Sequence, residues 1–160
     1  MKGLILTNAY SSSAHSANQP LRLKEEFARL GVEIDILRND GFWTYLDGEG
    51  EIKSRLTGYD FCVYLDKDKY VASMLESSGL RLFNSCRSIL TCDDKMETAI
   101  ALSDAGIPMP KTLPGLLCYT PDAEVSDATL DLVERELGYP VVVKESYGSF
   151  GAQVYKADDR

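Results

Sequence analysis

The first ninety residues alternate between short apolar runs and segments whose apolar residues recur at helical spacing. The predicted strands cover 2–7, 32–37, 61–65 and 80–83, and the predicted helices cover 20–30 and 69–78. Gly31 and Gly79 stand where the two helices should end. Because strands and helices alternate, the pattern predicts an α/β fold with a parallel sheet and helices on both faces. The acidic, glycine-bearing stretch 46–51 is interpreted as an irregular excursion.

The pattern changes near residue 92, where we place a domain boundary. Asp93 or Asp94 can cap a helix that runs to Gly106, because an aspartate side chain accepts hydrogen bonds from free backbone N–H groups. A second helix is predicted over 123–137. A β-branched strand over 141–144, a turn over 145–150 and a further strand over 152–157 complete the second region.

Composition and charge narrow the classes of function. The 160 residues carry 17 Lys and Arg against 25 Asp and Glu, a net charge of −8, which argues against nucleic-acid binding. No apolar run is long enough for a signal-peptide core or a membrane span, so we expect a cytoplasmic protein without a membrane anchor. The four cysteines form no Cys-x-x-Cys pair and are expected to be buried, reduced thiols.

The strongest chemical signal lies between residues 140 and 154. Lys144 ends an apolar strand, and Gly148 and Gly151 follow in a turn that can bring backbone N–H groups close to an anion. This arrangement is typical of a phosphate-binding loop. The alternative is an edge hairpin with a snorkelling lysine. The loop is not a Walker A sequence, and no Gly-x-Gly-x-x-Gly follows the first strand, so dinucleotide binding there is unsupported.

A second signal is Lys95, which stands in the first turn of a predicted helix directly after Asp93 and Asp94. A cation at this end opposes the helix dipole unless an acidic cap or a bound phosphate compensates. Taken alone, this segment is better explained by a solvated lysine beside its capping aspartates.

Together the two segments resemble the ATP-grasp superfamily. The matching motifs are Asp94-Lys95, Ala-Gly-Ile-Pro-Met-Pro-Lys-Thr over 105–112, Gly-Tyr-Pro over 138–140 leading to Lys144, and Gly-Ser-Phe-Gly over 148–151. They occur in family order over 93–157. The resemblance implies a pre-ATP-grasp, Rossmann-like domain over 1–92 and a first, α+β ATP-grasp subdomain over 93–160. The first region is most similar to that of the RimK-type, α-L-glutamate ligase-like carboxylate–amine ligases.

The resemblance also implies roles for individual residues. Lys95 and Lys144 match the lysines that contact the α- and β-phosphates of ATP, and Ser146, Gly148, Ser149 and Gly151 belong to the loop that covers those phosphates. Two positions depart from the family pattern. Gln153 replaces a third loop glycine, and Glu145 follows Lys144 where a proline or neutral residue is common.

The implied function is that of the N-terminal part of an ATP-dependent ligase, which joins a carboxylate to an amine or thiol through an acyl phosphate. The family's Mg²⁺ ligands lie beyond the glycine loop, and no residue here matches them, so we assign no metal ligand and no catalytic residue. The expected partners are ATP, small carboxylate and amine substrates and the rest of the ATP-grasp module. An exposed apolar edge around 141–143 and 154–155 would favour homo-oligomers. Two alternatives stay open, a non-catalytic small-molecule-binding module and a protein-interaction domain.

Three further residues have weaker signals. His15 follows the first strand, where α/β domains often bind ligands, but it is more simply interpreted as a loop histidine. Trp43 and Tyr45 could line a cleft, although packing in a core or an interface is the simpler interpretation.

Overall fold

A computed structural model describes residues 1–11, 14–120 and 122–160, with the backbone alone for 14–17. The elements in chain order are β1 (Lys2–Thr7), α1 (Ala14–Arg29), β2 (Glu33–Arg38), β3 (Thr44–Leu46), β4 (Ile52–Ser54), β5 (Phe61–Leu65), α2 (Lys69–Ser77), β6 (Arg81–Phe83), α3 (Cys86–Asp93), α4 (Lys95–Leu102), α5 (Asp127–Leu137), β7 (Val141–Lys144) and β8 (Val154–Ala157). The chain divides into two compact units, Met1–Leu90 and Thr91–Arg160, here called unit 1 and unit 2.

Unit 1 is built on a four-stranded parallel sheet with the order β2-β1-β5-β6. Thr7, at the end of β1, lies opposite Arg38 on β2 and Leu65 on β5, so these three strands end together at one edge. The predicted α/β fold with a parallel sheet is therefore confirmed.

Helices cover both faces of this sheet, as predicted. On one face, Leu23 and Phe27 of α1 pack against Ile5, Ile34 and Phe61. On the other face, Ala72 and Leu75 of α2 join a buried cluster with alternate residues of β1 and β5: Leu4, Leu6, Cys62 and Tyr64. The alternation arises because successive side chains of a strand point to opposite faces.

Two features of unit 1 differ from the sequence prediction. The first helix begins at Ala14 and contains Pro20, whereas the apolar periodicity predicted a start at residue 20. The stretch 46–51, interpreted as an irregular excursion, contains the end of β3 at Leu46 and the turn of the β3–β4 hairpin over 47–51. Asp47 shapes this turn, because its Oδ1 accepts hydrogen bonds from the backbone N–H groups of Glu49 and Glu51, both at 2.9 Å. Strands of three residues are too short for their alternation to be recognised.

Unit 2 contains α4, α5 and the antiparallel β7–β8 hairpin. The two helices are shorter than predicted. α4 ends at Leu102 rather than at Gly106. α5 begins at Asp127 rather than at 123, because Ser126 caps it by accepting a hydrogen bond from the Thr129 N–H. Within the described part of unit 2, every residue retains some exposure and none is buried.

The thiols only partly follow expectation. All four cysteines are free, but Cys62 and Cys86 are buried whereas Cys92 and Cys118 are exposed. The prediction of four buried thiols is therefore wrong for the last two. Both lie within unit 2, whose described residues form no buried core that could enclose them.

The remaining singled-out residues differ in their packing. Trp43 packs against the core cluster and donates a hydrogen bond from Nε1 to the Arg38 carbonyl at 2.6 Å. Tyr45 stays exposed beneath the Arg55 guanidinium. His15 lies in α1, and its side chain is outside the described residues. Among the helices that the structure describes, we find none with the length and apolar character that crossing a bilayer requires.

Candidate phosphate-binding site

The site begins at the first turn of α4. Asp94 caps the helix, and its Oδ1 accepts hydrogen bonds from the N–H groups of Met96 at 2.8 Å and Glu97 at 3.1 Å. Of the two aspartates that could have capped this helix, Asp94 is the one that does. The cap places Lys95 at the first helical position, where its cation opposes the helix dipole.

Lys95 is held by the segment that follows β7. Its backbone N–H donates to the Ser146 carbonyl at 2.9 Å. Its Nζ donates to the carbonyls of Glu145 and Gly148, both at 3.0 Å, and more weakly to that of Ser146 at 3.5 Å. The half-buried ammonium is therefore surrounded by backbone oxygens, and the solvated lysine of the alternative interpretation is not what the structure contains.

The β7–β8 hairpin supplies the rest of the site. Lys144 ends β7 and pairs with Val154 on β8. Beyond this pair, the Glu145 N–H donates to the Gln153 carbonyl at 3.1 Å, and the Ala152 N–H donates to the Ser149 carbonyl at 3.4 Å. These bonds close a loop over 145–153, here called the glycine loop.

Glycine is required at two positions of this loop. Gly148 has a φ of 119° and Gly151 a φ of 75°, both in the region that residues with side chains disfavour. Phe150, between them, also has a positive φ of 59°, and its ring is fully exposed. A non-glycine residue held at positive φ stores strain of the kind found in functional loops.

The predicted residues are distributed over this unit as follows. The structure brings Lys95 into contact with the loop at Ser146 and Gly148, and it puts Ser149 and Gly151 at the exposed tip. Lys144 lies at the base of the loop, exposed, and its ammonium has no hydrogen bond or ion pair with any residue that the structure describes.

Gln153 occupies the inside of the loop. A Cβ built on Gly148 would collide with the Gln153 side-chain amide and would lie only 2.7 Å from its Cδ. The Gln153 Oε1 is buried and has no hydrogen-bond partner within the described chain. Its departure from the family pattern was visible in the sequence, but the position of its side chain was not.

No metal site is evident in what the structure describes, because it contains no group of three or more His, Cys, Asp or Glu side chains placed to hold an ion. Glu145, which could have placed a carboxylate near the loop, contributes backbone groups instead. Its N–H bonds to Gln153 and its carbonyl accepts from Lys95.

Sequence reasoning missed a polar cluster at the edge of the unit 1 sheet. The Asp66 carboxylate is nearly buried and accepts hydrogen bonds from the side-chain amides of Asn8 and Asn39, both at 3.0 Å, and from the Lys67 N–H at 2.7 Å. Each of Asn8, Asn39 and Asp66 directly follows a parallel strand. That shared position was the available signal, because such residues meet at the carboxyl edge of a sheet.

Comparison with known proteins gives a consistent result. The chain is 30% identical to an uncharacterized MG012 homologue of Mycoplasma pneumoniae, over 94% of this chain and 52% of that protein. It is 31% identical to the alpha-aminoadipate–LysW ligase LysX of Saccharolobus solfataricus, over 86% of this chain and 46% of that protein. The chain thus spans about half the length of the curated relatives it matches.

The fold has solved counterparts. The crystal structure of a RimK domain ATP-grasp protein from Sphaerobacter thermophilus is similar with a TM-score of 0.66 and 20% identity, covering 99% of this chain and 55% of that one. None of the family models searched matches the sequence. The motif order, the curated ligase relatives and the shared fold agree with one another. By these three comparisons the chain is similar to the RimK-type ligases of the ATP-grasp superfamily.

Proposed function

We propose that this chain supplies the ATP-phosphate-binding part of a ligase that joins a carboxylate to an amine or thiol. Unit 1, Met1–Leu90, serves as the pre-ATP-grasp domain, for which the sequence predicts a boundary near residue 92. Unit 2 serves as the first ATP-grasp subdomain. The observation that carries the proposal is the contact between Lys95 and the glycine loop, which joins two motifs that are 50 residues apart.

The charges and donors of unit 2 suit a polyphosphate. Lys144 offers a cation that has no partner among the described residues at the base of the loop, and the Lys95 ammonium lies at the side of the same loop. In the proposed complex these two cations contact the α- and β-phosphates. Backbone N–H groups of Ser146, Gly148, Ser149 and Gly151 cover the phosphates, because a glycine-bearing turn can present several N–H groups to one anion.

In the proposed reaction a substrate carboxylate oxygen attacks the γ-phosphorus of ATP, ADP leaves, and an acyl phosphate forms. The amine or thiol then attacks the acyl carbon, and inorganic phosphate leaves. Mg²⁺ would neutralise charge on the transferred phosphoryl group. The described residues supply no ligand set for it. We therefore propose that the 160-residue chain by itself binds nucleotide without hydrolysing it, in a cytoplasmic setting, and that carboxylates of the rest of the module hold the metal.

The test is a titration of ATP, ADP and AMP into the 160-residue chain, followed by NMR chemical-shift mapping. We expect chemical-shift changes at residues 93–97 and 144–154. The affinity should decrease from ATP to ADP to AMP, because both cations contact phosphate groups in the proposed complex. The affinity should be weak, with a Kd in the millimolar range, which corresponds to a binding free energy of about −4 kcal/mol. Added salt should weaken it further, because exposed charges are screened.

Lys144→Ala should abolish most of the binding. The matched control is Lys156→Ala, since Lys156 is an exposed lysine on the other strand of the same hairpin. Lys67→Ala, in unit 1, is a second control. Shifts that scatter outside the two segments, or an unchanged titration with Lys144→Ala, would refute the phosphate site. Strong Mg²⁺-dependent release of ADP by the purified chain would refute the proposed division of the catalytic groups.

A further inference from the structure

The glycine loop has an internal support, the side chain of Gln153. Gly148 has no Cβ, and the space that a Cβ would enter is filled by the Gln153 amide. The backbone of the same glutamine accepts the hydrogen bond from Glu145 that closes the base of the loop. One residue therefore contacts the loop at its base and from within.

This contact reaches the proposed phosphate site through a single residue. Gly148 rests on the Gln153 side chain, and its carbonyl accepts a hydrogen bond from the Lys95 ammonium at 3.0 Å. A shift of Gly148 into the space now filled by Gln153 would carry this carbonyl away from its place beside Lys95. The side chain of Gln153 thus sets the position of a Lys95 partner that it does not itself touch.

The contact is steric rather than polar. The Gln153 Oε1 is buried and finds no donor within the described chain. An amide oxygen in that state costs free energy instead of contributing a hydrogen bond. An apolar side chain of the same length should therefore support the loop at least as well as glutamine does.

We propose that Gln153 is a positioning residue of the glycine loop, which fills the loop and holds Gly148 where its carbonyl meets the Lys95 ammonium. The effect of Gln153 on nucleotide binding rests on the function proposed above. Its effect on the structure of the loop follows from the contacts alone and can be measured without a ligand.

The experiment compares Gln153→Ala, which empties the loop, with Gln153→Met, which keeps the length of the side chain and removes the unpaired oxygen. Hydrogen exchange of the ligand-free chain is measured at the N–H groups of Lys95, Glu145 and Ala152, because the first of these bonds joins α4 to the loop and the other two close the loop. With Gln153→Ala we expect exchange to accelerate roughly tenfold at all three, a change that corresponds to about 1.4 kcal/mol. Gln153→Met should restore native or slower exchange. The N–H groups of α5 serve as the internal control.

Two results would overturn the proposal. One is native exchange at these three groups in Gln153→Ala. The other is equal acceleration in Gln153→Ala and Gln153→Met, which would mean that the amide and not the filled volume matters. If Gln153→Ala does not fold, Gln153→Met decides alone: native exchange supports steric filling, and faster exchange refutes it.

A titration of the same variants with ATP separates this proposal from the function on which it rests. We expect Gln153→Ala to weaken ATP binding severalfold and Gln153→Met to restore it. If the native chain binds no ATP while Gln153→Ala still loosens the loop, the phosphate site is wrong and the support of the loop stands. If the native chain binds ATP and Gln153→Ala changes neither loop exchange nor affinity, the positioning role is wrong and the phosphate site stands.

Discussion

Units 1 and 2 are of comparable length but bury very different amounts of apolar surface. In unit 1, Leu4, Leu6, Cys62 and Leu75 are completely inaccessible to solvent, and Tyr64 is nearly so. In the described part of unit 2, no residue is buried, and the apolar strand residues Val142, Val143 and Tyr155 are each more than half exposed. Apolar burial is the main favourable term in folding, so the two units must be stabilised in different ways.

Unit 2 relies instead on local polar interactions. Asp94 and Ser126 cap its helices, and the Lys95 ammonium donates hydrogen bonds to carbonyls of the glycine loop. Arg160 forms ion pairs with Asp127 and Asp131 on α5. Most of these groups are exposed, where each contributes little. We therefore expect unit 2, which carries the proposed phosphate site, to be the less stable unit, as is common for regions with ligand-binding loops.

The largest expected difference concerns thiol reactivity. Cys92 and Cys118 are exposed and should react with a disulfide reagent such as DTNB in the native protein. Cys62 and Cys86 are buried. Burial raises the pKa of Cys62 to about 12 and also raises the pKa of Cys86, so both thiols stay protonated. Their reaction should wait for unfolding of unit 1 and be slower by about 10³ or more. Rapid labelling of all four thiols would contradict a closed core in unit 1.

The next comparison sets a core leucine against an exposed one. Leu75→Ala should lower the free energy of unfolding of unit 1 by about 2–5 kcal/mol, because it leaves a cavity among fully buried residues. Leu132→Ala, whose side chain is 42% exposed in unit 2, should cost no more than about 1 kcal/mol. Urea unfolding followed by the fluorescence of Trp43 measures the first change, and hydrogen exchange of α5 measures the second. Equal losses would remove the distinction between the units.

A third test uses alkaline pH. Cys62 ionises near its usual pKa of 9.0 in the unfolded chain and near 12 in the folded one. Between these values the unfolded state binds fewer protons, so the free energy of unfolding must fall as the pH rises. We expect a slope of up to about 1.4 kcal/mol per pH unit from this thiol above pH 9. Trp43 fluorescence in urea at pH 8 to 11 measures it, and a flat profile would show that Cys62 is not buried.

The smallest effect should come from the surface ion pairs. Arg160 donates from its Nη1 to the Asp131 Oδ1 at 2.6 Å and from its Nη2 to the Asp127 Oδ1 at 2.8 Å, which raises the pKa of its guanidinium. Arg160→Ala should slightly accelerate hydrogen exchange in the first turn of α5, and the effect should disappear at about 1 M salt, where charges are screened within roughly 3 Å. The control for salt effects is Arg29→Ala, which removes the exposed ion pair between Arg29 and Glu26 in unit 1. An effect that persists at high salt would mean that the Arg160 bridge does more than pair exposed charges.

The sequence predicted the strands that carry the strongest local signals. β1, β5 and β7 have the predicted bounds, because each contains a run of consecutive apolar residues that is too short for a helix and is bounded by polar residues or turn signals. The β3–β4 hairpin was missed, since three-residue strands carry almost no periodicity. The start of α1 was missed as well, because the residues before Pro20 are mostly polar and small and hide the helix from an apolar pattern.

By itself, therefore, the sequence determined the alternation of elements, the resemblance of 140–151 to a phosphate-binding motif and the pair of aspartates, Asp93 and Asp94, of which one caps α4. Each of these depends on neighbouring residues. The tertiary structure decided where distant groups meet. It brought the Lys95 ammonium to the carbonyls of the glycine loop, placed Gln153 beneath Gly148, joined Asn8 and Asn39 to Asp66, and left Cys92 and Cys118 exposed. Such contacts depend on how separate elements pack, and local residue patterns do not encode that packing in a readable form.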